Sequence, residues 1–157
     1  MRTTRLLANA LLLLAALALA ACAGGGKRRI NPPRASLQEL AVQQDGTWRA
    51  SVRLQNFSSV PTEFADVDAR LEIGGQDAGA LRLQPALTVG PESADVAVVV
   101  LSPPAGAKTA VAAALAAGHS VRYRVSGRIV TREPKGSFAF EYESALSPVP
   151  GLAGVLR

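Results

Sequence analysis

The chain has 157 residues, of which 48% are hydrophobic, 18% charged and 4% aromatic, and its formal net charge is +5. That length suits one domain, and because Arg2 and Arg5 lie in an apolar leader the remainder carries +3, too slight a bias to indicate nucleic-acid binding. One cysteine (Cys22) excludes an intramolecular disulfide, and with one histidine (His119) it gives too few donors for a tetrahedral nitrogen and sulfur metal site, so no metal or cofactor is expected.

The leader comes first. Arg2 and Arg5 form a charged start, and residues 6–18, "LLANALLLLAALA", form an apolar run of signal-peptide length. A membrane span needs roughly 20 apolar residues. The run approaches that if continued to Ala23, so a signal anchor is the competing reading. Leu19-Ala20-Ala21-Cys22 resembles the lipobox of bacterial lipoproteins without departure. Small residues at 20 and 21 let the extended chain enter a signal peptidase, and the thiol of Cys22 accepts a diacylglyceryl group. The resemblance implies cleavage between Ala21 and Cys22, then acylation of the new amino group with a fatty chain such as palmitate. Each buried methylene contributes about 0.8 kcal/mol, and several chains on one residue hold firmly where one does not. Ala23 stands where Asp would mark inner-membrane retention, which implies the periplasmic face of the outer membrane.

The expected organisation is therefore a signal peptide over 1–21, a lipidated cysteine and flexible basic linker over 22–33, and a folded domain over 34–157. Gly24 to Gly26 favour slack, and Lys27, Arg28 and Arg29 are either solvated or in contact with anionic head groups. Asn31-Pro32-Pro33 stiffens the exit.

From Arg34 onward the hydrophobic period is two. "SLQELAV" (36–42) is a weakly patterned first strand. "TWRASVRLQN" (47–56) places Trp48, Ala50, Val52 and Leu54 on one face and Arg49, Ser51, Arg53 and Gln55 on the other. "DVDARLEI" (66–73) turns Val67, Ala69, Leu71 and Ile73 inward, with Phe64 out of phase as at a bulge or strand start. Gly74-Gly75 supplies a turn with positive φ before "ALRLQ" (80–84). "ADVAVVVLS" (94–102) is apolar on both faces and reads as a covered strand. Its expected cover is the helix-like "AKTAVAAALAA" (107–117), bounded by Pro103-Pro104 and Gly118. "SVRYRVSGRIVT" (120–131) and "SFAFEYES" (137–144) form a last hairpin. With Glu133 to Gly136 as its loop, Arg132 faces Ser137, Arg128 faces Glu141, Ile129 faces Phe140 and Gly127 faces Tyr142. About seven short strands and one short helix predict a small all-β antiparallel sandwich, immunoglobulin-like or fibronectin-like.

Four segments in order resemble the group 2 late embryogenesis abundant proteins, the family of the water stress and hypersensitive response (WHy) domain. They are "NPPRASLQELAV", "ASVRLQNFSSVP", "DARLEIGGQDAG" and "VRYRVSGRIV", and the likeness spans about residues 32 to 145. In the second, Phe57 stands where the family usually has Pro after Asn. The resemblance implies a fibronectin-shaped sandwich with a short helix, and a non-enzymatic role protecting proteins or the envelope under drying, freezing or heat.

Candidate sites are few. His119 follows Gly118 in a loop with no identifiable nucleophile or carboxylate partner. Asp66 and Asp68 share a strand face and read either as an acid–base pair or, with Arg70 beside them, as a charged outer face. No phosphate loop or nucleophile elbow occurs. Arg122, Arg124, Arg128 and Arg132 share the outer face of one strand, suited to an anion or an acidic partner, or to cross-strand pairing with Glu141 and Glu143. Asn56 shapes the turn at its strand end. The expected partners are the membrane, through lipid on Cys22, and possible envelope proteins. An assembly module that recruits one envelope protein through a sandwich edge is the alternative function.

Overall fold

The alternation of residues 48–55 becomes a strand because one face has somewhere to go: Trp48, Ala50, Val52 and Leu54 are all buried, while Arg49 and Arg53 are exposed. The computed structural model describes residues 27–157; the expected signal peptide over 1–21, the expected cleavage site and Cys22 lie outside the described residues.

Nine strands and a helix follow one another. They are β1 (Arg34–Val42), β2 (Trp48–Gln55), β3 (Thr62–Ile73), β4 (Gln76–Leu83), β5 (Leu87–Val89), β6 (Ala94–Leu101), α1 (Ala105–Ala117), β7 (Val121–Glu133), β8 (Gly136–Leu146) and β9 (Val155–Leu156). The seven strands expected from periodicity are all present, and β5 and β9, of three and two residues, are too short to show a period. One sheet runs β6-β2-β1-β9; the other runs β4-β3-β7-β8, with β5 paired to β3. Every ladder between these strands is antiparallel. The two inner faces meet in one apolar core built from Trp48, Leu54, Phe64, Leu71, Ile129 and their neighbours. The fold is the all-β sandwich with one short helix that the pattern predicts.

Phe64 is fully buried, and the β3–β7 register slips on either side of it, so its phase marks a bulge. Gly74 and Gly75 form the β3–β4 turn with φ of 59° and 73°, between the paired residues Ile73 and Gln76. Gly74 has a second reason to be glycine: a Cβ there would lie 2.7 Å from the Cβ of Ala110, so the bare turn lets α1 settle against the sheet. The helix buries Ala107, Val111 and Ala114 and ends at Gly118, a left-handed cap whose N–H reaches the carbonyls of Ala114 and Leu115.

Three expectations need correction. First, α1 lies against β4, β3 and β7, not over β6. β6 is an edge strand, and its two-sided apolar character comes from outward valines: Val98 and Val100 are 47% and 62% exposed. Second, the β7–β8 register is displaced by two residues: Thr131 faces Gly136, Ile129 faces Phe138, Arg128 faces Ala139 and Gly127 faces Phe140. The four-residue loop starts one residue earlier than expected, closing where the Thr131 hydroxyl donates to the Pro134 carbonyl, and Gly136 is already strand. Third, the ordered chain reaches back into the basic stretch before Arg34. Arg29 N–H donates to Ser59 Oγ at 2.8 Å, Asn31 N–H to Ser58 Oγ at 3.0 Å, and Arg29 pairs with Glu92 at 2.8 Å.

Candidate functional site

The outer face of the β4-β3-β7-β8 sheet carries the arginine row. Strand alternation sends Val121, Tyr123, Val125 and Ile129 into the core, so Arg122, Arg124, Arg128 and Arg132 must point out. Cross-strand register then decides what each meets. Arg124 lies opposite Glu143 and hydrogen-bonds it through Nε; Glu72 and Glu141 lie at 3.8 and 3.9 Å. The hydrogen bond that Arg124 donates to Glu143, reinforced by the surrounding carboxylates, raises the guanidinium pKa. Arg132 pairs with Glu63 at 2.9 Å. Arg128 donates to Ser137 Oγ at 3.1 Å. Among the described residues Arg122 has no side-chain partner; it borders an open depression of about 250 Å³ with Glu72, Arg124 and Glu143.

The same face carries Arg70 paired with Asp77 at 2.6 Å and Arg82 beside Asp68 at 3.7 Å. Acids and bases thus alternate across four strands, and the row is part of a mixed-charge surface rather than a cationic patch. Each exposed pair of this kind contributes about 0–1 kcal/mol. Asp66 and Asp68 border an open depression of about 450 Å³ on this surface with Arg82, and His119 is exposed just after the helix cap. Among the described residues no three His, Cys, Asp or Glu side chains converge as metal ligands, and no helix is long and apolar enough to cross a membrane.

The inside of the sandwich holds the geometry. β1 bulges between Leu37 and Glu39, which disturbs its ladder with β2. The Tyr123 hydroxyl crosses from β7 and takes up the backbone there, accepting from Leu37 N–H and donating to Leu37 C=O, both at 3.2 Å. Burial pushes the phenol pKa up to about 12, against the opposing effect of the Leu37 hydrogen bond. Asn56 is buried at the end of β2. Its Oδ1 accepts from Ser58 N–H at 2.8 Å, the turn expected of it. Its Nδ2 also reaches the carbonyls of Val60, Val89 and Gly90, which the sequence gives no means of pairing with it.

A further group is visible only in the fold. Arg34, Phe57 and Tyr142 come from three separate segments and meet where β1 approaches β8, with Arg34 stacked on both rings. The one sequence-level sign is Phe57 itself, the departure from the usual Asn-Pro.

No family model and no curated protein matches the sequence. Solved structures do. A protein of Arabidopsis thaliana solved in solution aligns with 78% of this chain and 85% of its own at 13% identity, with a TM-score of 0.50. A protein of Archaeoglobus fulgidus aligns with 77% of this chain and 98% of its own at 17% identity and a TM-score of 0.41. A structural-genomics target aligns with 78% and 90% at 13% identity and a TM-score of 0.44. The class that fold and comparison define is a small two-sheet β-sandwich domain.

The Tyr123 bridge predicts a specific outcome. Tyr123→Phe keeps the packing but orphans a buried N–H and C=O, so urea unfolding should show a loss of about 1–3 kcal/mol. Because the folded pKa is raised from 10 to about 12, neutral Tyr123 contributes stability that is complete below pH 10 and is lost as pH rises toward 12. The wild-type chain should lose stability over that interval more steeply than Tyr123→Phe; equal slopes would contradict burial of the phenol, and an unchanged urea midpoint in Tyr123→Phe would contradict the bridge.

Proposed function

We propose that the chain is a non-enzymatic lipoprotein, tethered through acylated Cys22 to the periplasmic face of the outer membrane, whose WHy-type sandwich protects proteins or the envelope during drying, freezing or heat. The address rests on Leu19-Ala20-Ala21-Cys22 and the signal-peptide pattern before it. The domain reading rests on four ordered segments of resemblance over residues 32–145, and the observation that carries it furthest is the fold: the two-sheet sandwich with one short helix that the resemblance implies. A mixed-charge outer face, with acids and bases paired across strands, suits a surface that stays hydrated and makes weak contacts with many proteins.

Two measurements test this. Cys22→Ala, followed by membrane fractionation, should release the protein from the outer-membrane fraction and abolish acyl labelling; a variant that stays membrane-bound and uncleaved would establish a signal anchor instead. For the protective role, the mature acylated chain in detergent micelles is added to a freeze-sensitive dehydrogenase through repeated freeze–thaw cycles. The enzyme should retain several-fold more activity than with empty micelles plus an equal mass of albumin, and parity with that control would sink the protective reading.

A further inference from the structure

The β8 sheet ends in an unpaired edge. β8 pairs with β7 alone along its 11 residues, and β1 is covered by β9 only at Leu40 and Ala41. The two sheets approach each other where β8 packs against β1. Phe138, Phe140 and Tyr142 point inward from β8, yet each is only half-buried, because no further strand extends the sheet over them. An edge of this length with a free backbone ladder is a template for another strand unless charges, prolines or bulges blunt it. Over 136–146 there is no proline, lysine or bulge, and the only charges, Glu141 and Glu143, point to the outer face beside Arg124.

Arg34, at the start of β1, reaches the β8 edge. Its Cζ lies 4.9 Å from the centre of the Phe57 ring and 5.2 Å from that of Tyr142. A groove of about 320 Å³ lies beside it, walled by Pro32, Pro33, Phe57 and Phe140, with Glu141 at the rim. Rings that stack on a guanidinium fix its plane and leave its N–H edge for hydrogen bonding. Of the twelve described arginines, seven are within 4 Å of a carboxylate; Arg34 is one of five that are not, with Arg49, Arg53, Arg122 and Arg128, and among those five it is the one stacked on aromatic rings. The stacking holds its fork ready for a planar anion.

We infer that the free edge of β8 receives an extended segment of another protein as an added strand, with one carboxylate side chain of that segment held by Arg34. Strand addition gives main-chain affinity and alternate side chains give selectivity. Inward-facing apolar residues flanking the acid would cover Phe138 and Phe140. A second copy of this chain fits less well: pairing β8 with β8 would present Phe138, Phe140 and Tyr142 inward, with no acid for Arg34. The site does not depend on the protective reading and stands or falls separately from it.

The test uses the mature acylated protein in detergent micelles and a blocked nonapeptide with valine, glutamate and valine at alternate inner positions and threonine between them. Amide chemical-shift changes should concentrate on β8 and around Arg34 and Phe57. Replacing the peptide glutamate by glutamine should weaken binding roughly tenfold or more, as expected for loss of a hydrogen-bonded charge. A proline at the peptide centre should abolish binding by removing a ladder donor. Arg34→Gln should erase the preference for glutamate while leaving the fold intact by its amide spectrum; Arg34→Lys should restore it in part. Equal affinity for the glutamate and glutamine peptides, absence of binding, or shifts remote from β8 would overturn the inference. So would concentration-dependent broadening of β8 resonances without peptide, which would assign the edge to a second copy.

Discussion

One buried side chain holds the end of this sandwich together. Asn56 donates through Nδ2 to the carbonyls of Val60, Val89 and Gly90 at 2.8, 3.2 and 2.8 Å, and accepts from Ser58 N–H. It thereby joins the end of β2, the approach to β3 and the turn between β5 and β6. Ser58 extends the connection: its hydroxyl accepts from Asn31 N–H and donates to Asn31 C=O, while Asn31 Nδ2 donates to Phe57 C=O. A buried polar group left without partners costs about 1–3 kcal/mol, so this set is satisfied as a unit or not at all. No buried side-chain nitrogen or oxygen lacks a partner among the described residues. The consequence reaches the surface, because this hub places Phe57 beside Arg34 and fixes where the chain enters the domain.

The two sheets divide the surface into unlike parts. On the outer face of the β4-β3-β7-β8 sheet, register alone sets Arg70 on Asp77, Arg124 among Glu72, Glu141 and Glu143, and Arg132 on Glu63. The opposite sheet ends in β6, with Val98 and Val100 in solvent next to Arg49 and Arg53 on β2. Between the sheets, β8 and β7 approach β1 on one side, and β6 lies against β4 and β5 on the other. The polar hub and the Tyr123 bridge to Leu37 both sit on the β1 side, so the seat of Arg34 beside β8 is set by buried hydrogen bonds rather than by flexible surface residues.

How much of this was legible follows from what a period of two can encode. Trp48, Ala50, Val52 and Leu54, and likewise Val67, Ala69, Leu71 and Ile73, declare their faces because each strand is buried on one side only. Phe64 betrays its bulge by breaking phase. Parity cannot separate registers that differ by two residues, since both keep apolar against apolar; the β7–β8 pairing depended on where the loop begins, which rests on Thr131 and Pro134. β6 misled for a related reason, as apolar residues on both faces arise from exposure of valines as readily as from cover. β9 was invisible because two residues have no period, although Leu156 is fully buried beside Leu40. The grouping of Arg34, Phe57 and Tyr142 depends on the sheets closing over one another, so spacing along the chain does not contain it.

The central claim is that the domain is a β-sandwich in which the long edge of β8 is left free beside a preset arginine. Residue-resolved hydrogen exchange of the protein measures this directly. Along Ser137 to Ala145, amides directed at β7 should be strongly protected and the alternating ones should exchange near the rate of unstructured peptide, while Ser58 N–H, bound to Asn56, exchanges slowly. Uniform protection along β8 would show that its edge is already covered, and fast exchange at Ser58 would show that the polar hub does not hold the seat of Arg34 in place.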